Sequence, residues 1–340
     1  MPSQKRDLDD RKFMRAALAE ARKGLGLTHP NPAVGAVIVA GGRIAAAGWH
    51  RGAGLPHAEI EALRALDRSP KGATIYVTLE PCSTHGRTPP CCDAIVQAGF
   101  RRVVYGATDP NPKHAGRADK VLGSHGIEVT SGMLAEECEA LNRYWNKWIA
   151  TGLPYVVAKA AMTLDGKIAS HPESRWLSNE RSRREVMKLR ARMGAIMVGG
   201  ETVRVDDPQL TVRGVRVKSQ PLRAVWTRSG QLPASARLLQ SPSPAVLFRN
   251  VPLARALRRL GEQGIPSVLL EGGGRLLGEA FDRGLVDEVC LYLAPMISGG
   301  LIPTIAGRGV GSNGDGIALE GVNYRRLGDD VCLTGRVVRN

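Results

Sequence analysis

The chain opens with a helical rhythm. In "MPSQKRDLDDRKFMRAALAEARKG" the apolar positions Phe13, Met14, Ala17, Leu18 and Ala21 recur three and four residues apart. That spacing predicts an amphipathic helix, and the charge throughout leaves no apolar core for a secretion signal. The period then shortens. "AVGAVIVA" (33–40) and "RIAAAGWH" (43–50) read as a hairpin turned at Gly41-Gly42. A helix is predicted from about His57 to Asp67 and an apolar strand at "ATIYVTLE" (73–80). "PPCCDAIVQAG" (89–99) begins on prolines and stops on glycine, as a helix does. "RRVVYGATD" (101–109) is a further strand, and a helix follows from about Leu134 to Trp148. "ATGLP" (150–154) interrupts the pattern and reads as a linker.

The pattern then restarts. "YVVAKAAMT" predicts a strand, "NERSRREVMKLRARMG" a helix, and "AIMVGG", "LRAVWT" and "AVLFR" three strands. "PLARALRRLGEQG" predicts a helix, "SVLLEGGG" a strand ending in a glycine turn, and "DEVCLYLAPMI" a last strand. The loosest loops are "SPSP" (241–244) and "GVGSNGDG" (309–316), and no repeat relates the halves. Strands interleaved with helices predict layered α/β architecture in both halves, with domains at 1–150 and 151–340.

Composition narrows the setting. The hydrophobic content of 43% suffices for real cores, and no apolar run approaches membrane-spanning length. The expected compartment is the cytoplasm, where thiols stay reduced. Six cysteines in 340 residues are too sparse for a disulfide scaffold, so a cluster of them reads as metal-binding or reactive. The net charge of +15 admits two readings, nucleic acid or small phosphorylated ligands. The basic run "RSRREVMKLRAR" (181–192) also reads as a solvated helix face, so charge alone does not choose.

The cysteine cluster does more. "EPCSTHGRTPPCCDA" (80–94) carries Cys82, Cys91 and Cys92, and upstream "PHAEIEAL" sets His57 and Glu59 two residues apart. One imidazole, two thiolates and a nearby carboxylate suit a tetrahedral zinc with an open fourth position. Residues two apart on a helix face different ways, so Glu59 is read as a proton carrier rather than a ligand. H-x-E with a later P-C and cysteine is the zinc-deaminase arrangement, here with eight residues between Cys82 and Cys91. That stretch leaves Cys92 open as an alternative to Cys91. It also leaves open a closed structural zinc, with His85 or Cys92 as the fourth ligand.

In the second half no G-x-G-x-x-G follows a strand, so the Rossmann fingerprint is absent. "EGGGRLLGEAF" instead places bare backbone N–H groups and a helix N-terminus at one spot, which suits a phosphate or is simply a glycine turn. In "ETVRVDDPQLTVR" the adjacent aspartates before proline read as a capped turn. Arg190, on residue type alone, reads as surface.

Several stretches carry a resemblance. "THPNPAVGAVIV", "PHAEIEALRAL", "VTLEPCSTHGRTPPCCDAIVQAG" and "DPNPKHAGR" resemble the deaminase half of bifunctional riboflavin-biosynthesis deaminase–reductases. "KAAMTLDGKIAS", "ESRWLS", "LRARMGAIMVGGETVRVDDPQLTVR" and "LLEGGGRLLGEAF" resemble their reductase half, so the likeness covers nearly the whole chain. It implies a cytidine-deaminase-like three-layer domain followed by a dihydrofolate-reductase-like domain. It implies hydrolytic deamination of a phosphorylated ribosylamino diaminopyrimidinone, then NADPH reduction of the ribosyl group to ribityl. Carried over by residue, His57, Cys82 and Cys91 match the zinc ligands, Glu59 the proton donor and Asn31 a pocket residue. Ala161, Trp176, Thr202, Asp206 and the run Gly273, Gly274, Arg275, Leu276, Leu277, Gly278 and Glu279 match cofactor contacts. Ser174, Arg190, Leu210, Arg213 and Glu271 match substrate contacts, and Lys159 shares a strand with the pocket residues. One departure stands out: where the family often has an acidic residue with serine, this chain has "WTRSG", so Arg228 is expected to meet the phosphate that separates NADP from NAD. The expected partner is a small phosphorylated pyrimidine rather than nucleic acid or membrane, and a homo-oligomer is expected. The rival readings are a zinc deaminase of nucleic-acid bases and a zinc-stabilised nucleic-acid-binding module. Both leave the second half unexplained, and the low aromatic content argues against base stacking.

Overall fold

The computed structural model describes residues 2–85, 89–112, 114–168, 176–240 and 245–338. The chain divides into two compact units, 1–151 and 152–340.

The first unit runs α1 (Pro2–Arg22), β1 (Gly35–Ala40), β2 (Arg43–Trp49), α2 (Ala58–Arg64), β3 (Thr74–Leu79), α3 (Cys91–Ala98), β4 (Arg102–Ala107), α4 (Arg117–Ser124), β5 (Glu128–Thr130), α5 (Ala135–Leu141) and α6 (Arg143–Thr151). Its five strands lie in the order β2-β1-β3-β4-β5. β1 is antiparallel to both neighbours, whereas β3, β4 and β5 are parallel. Alternation along the strands supplies the two cores. Ile38, Ile75, Val77 and Val103 face Ala58, Ala62, Ile95, Ala118 and Leu122 of α2, α3 and α4. Val37, Val39, Tyr76 and Val104 face Phe13, Met14 and Leu18 of α1 and Cys138 of α5. The result is a mixed sheet between two helical layers. The β1–β2 turn uses Gly41 and Gly42, both at positive φ, as a two-residue hairpin of right-handed twist requires. Gly48 is needed for a different reason: a Cβ there would strike the backbone of Ala62 at 2.3 Å. α2 therefore lies directly on β2, which sets the height of its N-terminal end over the sheet.

The second unit runs β6 (Tyr155–Thr163), α7 (Glu180–Arg190), β7 (Ala195–Gly199), α8 (Gly200–Asp206), β8 (Leu222–Thr227), α9 (Arg237–Gln240), β9 (Ala245–Arg249), α10 (Leu253–Glu262), β10 (Ser267–Glu271), α11 (Gly274–Asp282), β11 (Glu288–Ala294), β12 (Leu319–Leu327) and β13 (Asp330–Val337). Its eight strands lie in the order β12-β13-β11-β6-β10-β7-β8-β9. From β11 to β9 all neighbours are parallel, and the β12–β13 hairpin adds an antiparallel edge. Leu253, Leu257 and Leu260 of α10 and Leu276 and Leu277 of α11 bury one sheet face with Val156, Met197, Val268 and Leu270. In an open parallel sheet, ligands bind outside the carboxyl ends of the strands.

Several details depart from expectation. The helix expected from Leu134 to Trp148 is two helices broken at Asn142. The Asn142 amide accepts from Ala33 N at 2.8 Å and donates to Ala33 O at 2.9 Å, so a long-range backbone partner sets the break. The predicted turn at the paired aspartates is the end of a helix, α8, with Asp207 as its left-handed cap at φ 40°. α4, β5 and the β12–β13 hairpin were not legible. β12 is exposed along nearly its whole length, so no apolar alternation marks it. The 309–316 loop contains one 3-10 turn, and 241–244 lies outside the described residues.

Candidate active sites

In the first unit, three chain segments converge. His57 is the N-cap of α2, Cys82 follows β3, and Cys91 is the first residue of α3. Their donor atoms, one from each residue, all lie within 4.8 Å of one another. His57 Nδ1 stands 3.2 Å from Cys91 Sγ and 3.6 Å from Cys82 Sγ. Those separations match one nitrogen and two sulfurs around a common zinc-sized centre. The protonation pattern agrees. A hydrogen bond from Cys91 draws the Cys82 thiol down to about 4, and Cys82 in turn holds the His57 imidazole protonated up to about 9. One divalent cation would replace those shared protons and satisfy the same donors. The Cys91 backbone N–H also donates to Cys82 Sγ at 3.2 Å, a support that favours the thiolate.

Cys92 points elsewhere. Its Sγ donates to Pro81 O at 3.5 Å, its side chain joins the core beneath the sheet, and burial pushes its thiol up to about 12. His85 is exposed and belongs to no donor cluster among the described residues. Glu59 is buried beside the triad and within hydrogen-bonding reach of Cys91. Burial raises its carboxyl, opposed by His57.

The triad opens onto a cavity of about 310 Å³ lined by Asn31, His50, Glu59, Glu80, Asp109 and Trp145, among others. Asn31 Nδ2 meets His50 Nε2 at 3.0 Å, and His50 Nδ1 meets Pro56 O at 3.0 Å. A carbonyl only accepts, so His50 carries its proton on Nδ1 and accepts from Asn31 through Nε2. Glu80 is buried and accepts from the backbone N–H groups of Asp109, Gly116 and Ala118 at 3.1, 3.0 and 3.1 Å. It thereby holds the backbone at Asp109, Gly116 and Ala118, and Asp109, Asn111 and His114 lie on the cavity wall.

In the second unit the carboxyl edge of the parallel strands carries two cavities. One, of about 470 Å³, is lined by Lys159, Ala161, Trp176, Thr202, Asp206, Leu210, Arg213, Arg190, Glu271 and Gly273. Its floor is charged. Arg190 Nε and Nη2 donate to the two Glu271 oxygens at 2.6 and 2.7 Å, and Nη1 donates to Thr211 O at 3.0 Å. Lys159 Nζ stands 4.0 Å from Glu271 Oε2. Burial would raise the Glu271 carboxyl, but the charges of Arg190 and Lys159 outweigh it and hold the group down at about 2. Arg190 is thus buried, not the surface residue its type suggested. The second cavity, of about 730 Å³, lies over β7, β8 and α11, and Thr202 and Gly273 line both.

Two family descriptions match the chain. The cytidine and deoxycytidylate deaminase zinc-binding region covers residues 8–107, and the RibD C-terminal domain covers 154–333. The riboflavin biosynthesis protein RibD of Actinobacillus pleuropneumoniae is 40% identical over 96% of this chain and 94% of its own length. That of Escherichia coli is 38% identical over 96% and 99%. Among solved structures, Acinetobacter baumannii RibD superposes with a TM-score of 0.91 at 35% identity, covering 98% of this chain and all of the other. The Thermotoga maritima diaminohydroxyphosphoribosylaminopyrimidine deaminase/5-amino-6-(5-phosphoribosylamino)uracil reductase gives 0.90 at 34% identity. This chain belongs to the RibD family.

Membership makes the first unit a cytidine-deaminase-like domain with a zinc-binding region and the second the RibD reductase domain. The residues carried over by resemblance fall into three groups. His57, Glu59, Cys82 and Asn31 line one cavity, with Cys91 beside them. Lys159, Ala161, Trp176, Thr202, Asp206, Arg190, Leu210, Arg213, Glu271 and Gly273 line another. Arg275, Leu276 and Glu279 line the third, with Arg228. Gly274, Leu277 and Gly278 line none of these three cavities. A Cβ on Gly274 or Gly278 would strike the backbone of Pro303 or Ala306 at 2.3 Å, and Leu277 lies in the core. Ser174 lies outside the described residues. Sequence reasoning did not single out His50, Glu80, Asp109, His114 or the Trp145–Trp148 wall. Asp109 and His114 lie in the "DPNPKHAGR" stretch and Glu80 opens "EPCSTHGRTPPCCDA", but neither stretch hints that Glu80 holds the other.

Proposed function

We propose that this chain is the bifunctional enzyme of riboflavin biosynthesis that its family membership implies. Its 1–150 half is read as a zinc-dependent pyrimidine deaminase and its 151–340 half as an NADPH-dependent reductase. The substrate proposed is 2,5-diamino-6-ribosylamino-4(3H)-pyrimidinone 5′-phosphate. The observation that carries this is the meeting of His57 Nδ1, Cys82 Sγ and Cys91 Sγ around one point, with the buried Glu59 carboxyl beside it.

In the deaminase half, His57, Cys82 and Cys91 would hold zinc, which when bound would supply Lewis acidity to a water molecule in the cavity. Glu59 takes a proton on its carboxylate and returns it to the departing amine, so ammonia leaves neutral. Asn31 and His50, locked to each other at 3.0 Å, offer a fixed polar pair to the pyrimidine ring. Trp145 and Trp148 close the cavity with flat apolar surface.

In the reductase half, a bound NADPH would supply the hydride needed to reduce the ribosyl group to ribityl. Ala161, Trp176, Thr202, Asp206, Gly273, Arg275, Leu276 and Glu279 line the space proposed for the cofactor, with the α11 N-terminus suited to its phosphates. Arg190, Leu210, Arg213, Ser174 and Glu271 hold the substrate. Lys159 is the ammonium nearest Glu271, which places a proton donor on the cavity floor. Arg213 is exposed at the cavity wall, where a guanidinium suits a sugar phosphate.

A cytoplasmic location fits six cysteines that all stand as free thiols. Among the described residues no helix is long and apolar enough to cross a membrane. A homo-oligomer is also proposed. Exposed Met296, Ile297, Leu301 and Ile302, with Val322 and Tyr324 on the edge strand β12, offer apolar surface for it. Light scattering that gives a monomer mass at micromolar concentration would remove that element.

The deciding experiment adds the phosphorylated diaminopyrimidinone and NADPH to purified protein and follows ammonia and 340 nm absorbance together. Stoichiometric ammonia followed by NADPH oxidation is expected. Salt-sensitive RNA binding without NADPH binding would overturn the reading in favour of a nucleic-acid enzyme or module.

A further inference from the structure

We propose that Glu80 is a positioning residue of the deaminase half: its buried carboxylate clasps the exit of β4 and the entry of α4, and so fixes the cavity wall between them against which substrate binds. The proposal rests on the deaminase reading above and adds a residue that acts through others. Glu80 directly follows β3, and its own N–H donates to Ala107 O at 2.8 Å, so the sheet sets its backbone. The residue is only 4% exposed. Oε2 accepts from Asp109 N at 3.1 Å and from Gly116 N at 3.0 Å, and Oε1 accepts from Ala118 N at 3.1 Å. Asp109 lies just beyond β4, Gly116 is the N-cap of α4, and Ala118 is in its first turn. A helix start leaves its first N–H groups without partners. Gly116, at φ 69°, has no side chain to serve them. A carboxylate 36 and 38 residues earlier does so instead, and its charge suits the positive end of the helix.

One group therefore holds both ends of the intervening chain. That chain carries Asn111 and His114, which line the cavity together with Asp109 and Glu80 itself. It is braced from within: Asn111 N donates to Asp109 Oδ1 at 2.8 Å, and His114 N donates to Asn111 O at 2.9 Å. Thr84 Oγ1 meets His114 Nδ1 at 3.1 Å, a second tie to the segment after β3. Cys82 lies in that same segment, so the wall and one donor of the triad share an anchor at the end of β3. None of the wall residues Asp109, Asn111 and His114 belongs to the triad, and none is the proton carrier. Loosening them should weaken the hold on substrate equally in the ground and transition states, which raises KM and spares kcat. A wall that is already ordered also spares the entropy of ordering it when substrate binds.

The test compares the full-length wild type with Glu80→Gln and Glu80→Ala, each produced in zinc-supplemented medium. A glutamine amide has one acceptor oxygen, so either orientation turns its NH2 toward at least one of the three N–H groups. Alanine removes all three bonds. Hydrogen exchange in peptides spanning 109–118 is expected to quicken about 10-fold or more in both variants, while peptides from α2 and α3 exchange as in the wild type. KM for the phosphorylated diaminopyrimidinone is expected to rise about 10-fold in Glu80→Gln and further in Glu80→Ala. In both, kcat should change by less than about threefold and zinc should stay at about one per chain. The glutamine variant carries the same readouts should the alanine variant fold poorly. Faster local exchange with unchanged KM overturns the proposal and leaves Glu80 a helix cap only. A fall in kcat at unchanged KM, or loss of zinc, overturns it in favour of an action on the metal centre. Faster exchange throughout the first unit overturns it in favour of general stability. A wild type that releases no ammonia overturns the deaminase reading itself, and the proposal with it.

Discussion

The two units solve the problem of holding chemistry in opposite ways. The first concentrates it: three donors from residues 57, 82 and 91 meet within 4.8 Å, at the entrance ends of α2 and α3, beside a cavity of about 310 Å³. The second spreads it along the carboxyl edge of a parallel sheet, over two adjoining cavities of about 470 and 730 Å³. A clustered ligand set acts as a unit, so removing one member should remove the function. A distributed surface loses affinity in steps, and its buried charges bear on stability as well as binding.

The sharpest way to break this contrast is Cys91→Ser. Bound zinc should fall from about one per chain to almost none, and deamination by about 10⁴-fold or more, with NADPH oxidation of pre-deaminated substrate unchanged. Chelation of the wild type should reproduce that split. Loss of both activities in a folded variant would mean that the units do not act separately. Glu59→Gln comes next, with deamination lower by about 10³-fold while metal analysis still finds zinc. Zinc loss in that variant would make Glu59 a ligand.

Glu271→Gln sharpens the other side. It leaves Arg190 buried against a neutral amide, so unfolding of the second unit should become easier by about 3 kcal/mol at pH 7 in urea titrations. The pH dependence has a definite sign. The folded carboxyl is held below its usual 4.5, at about 2, so its contribution is complete above about pH 4.5 and is lost as pH falls toward 2. The gap between wild type and variant should narrow over that window and stay constant between pH 6 and 8. A gap that widened toward acid would refute the ion pair as its source. The smallest effect is expected for Asn142→Ala. It deletes two buried hydrogen bonds to Ala33 and should cost the first unit about 1–2 kcal/mol. Because Ala33 lies two residues from Asn31, a rise in the deaminase KM with little change in kcat should accompany it.

Legibility followed the range of the interactions. α1 could be drawn from Phe13, Met14, Ala17, Leu18 and Ala21, because one apolar stripe on one helix is a local signal and all five are buried. The β1–β2 hairpin was marked by its own glycine pair. Asn142 carried no such mark: what breaks the helix there is the backbone of Ala33, 109 residues away. Arg190 looked like one more cation in a basic run, since nothing near it in the chain announces Glu271, 81 residues on. β12 pairs along an edge and buries almost nothing, so a strand predictor based on alternation has no pattern to find.

The residues alone determined the donor chemistry: an imidazole, cysteines and a carboxylate at spacings that put ligands at helix starts and the acid off to one side. They also determined that a glycine turn would follow a buried strand in the second half. Tertiary structure decided which cysteine turns to the shared point, because Cys91 and Cys92 differ only in the direction they leave the first turn of α3. It likewise decided that Glu80 caps α4, because the N–H groups of Gly116 and Ala118 come within its reach only in space. Donor type is a property of the side chain, but coordination and charge balance depend on distance, and distance is set only when the helices close on the sheets.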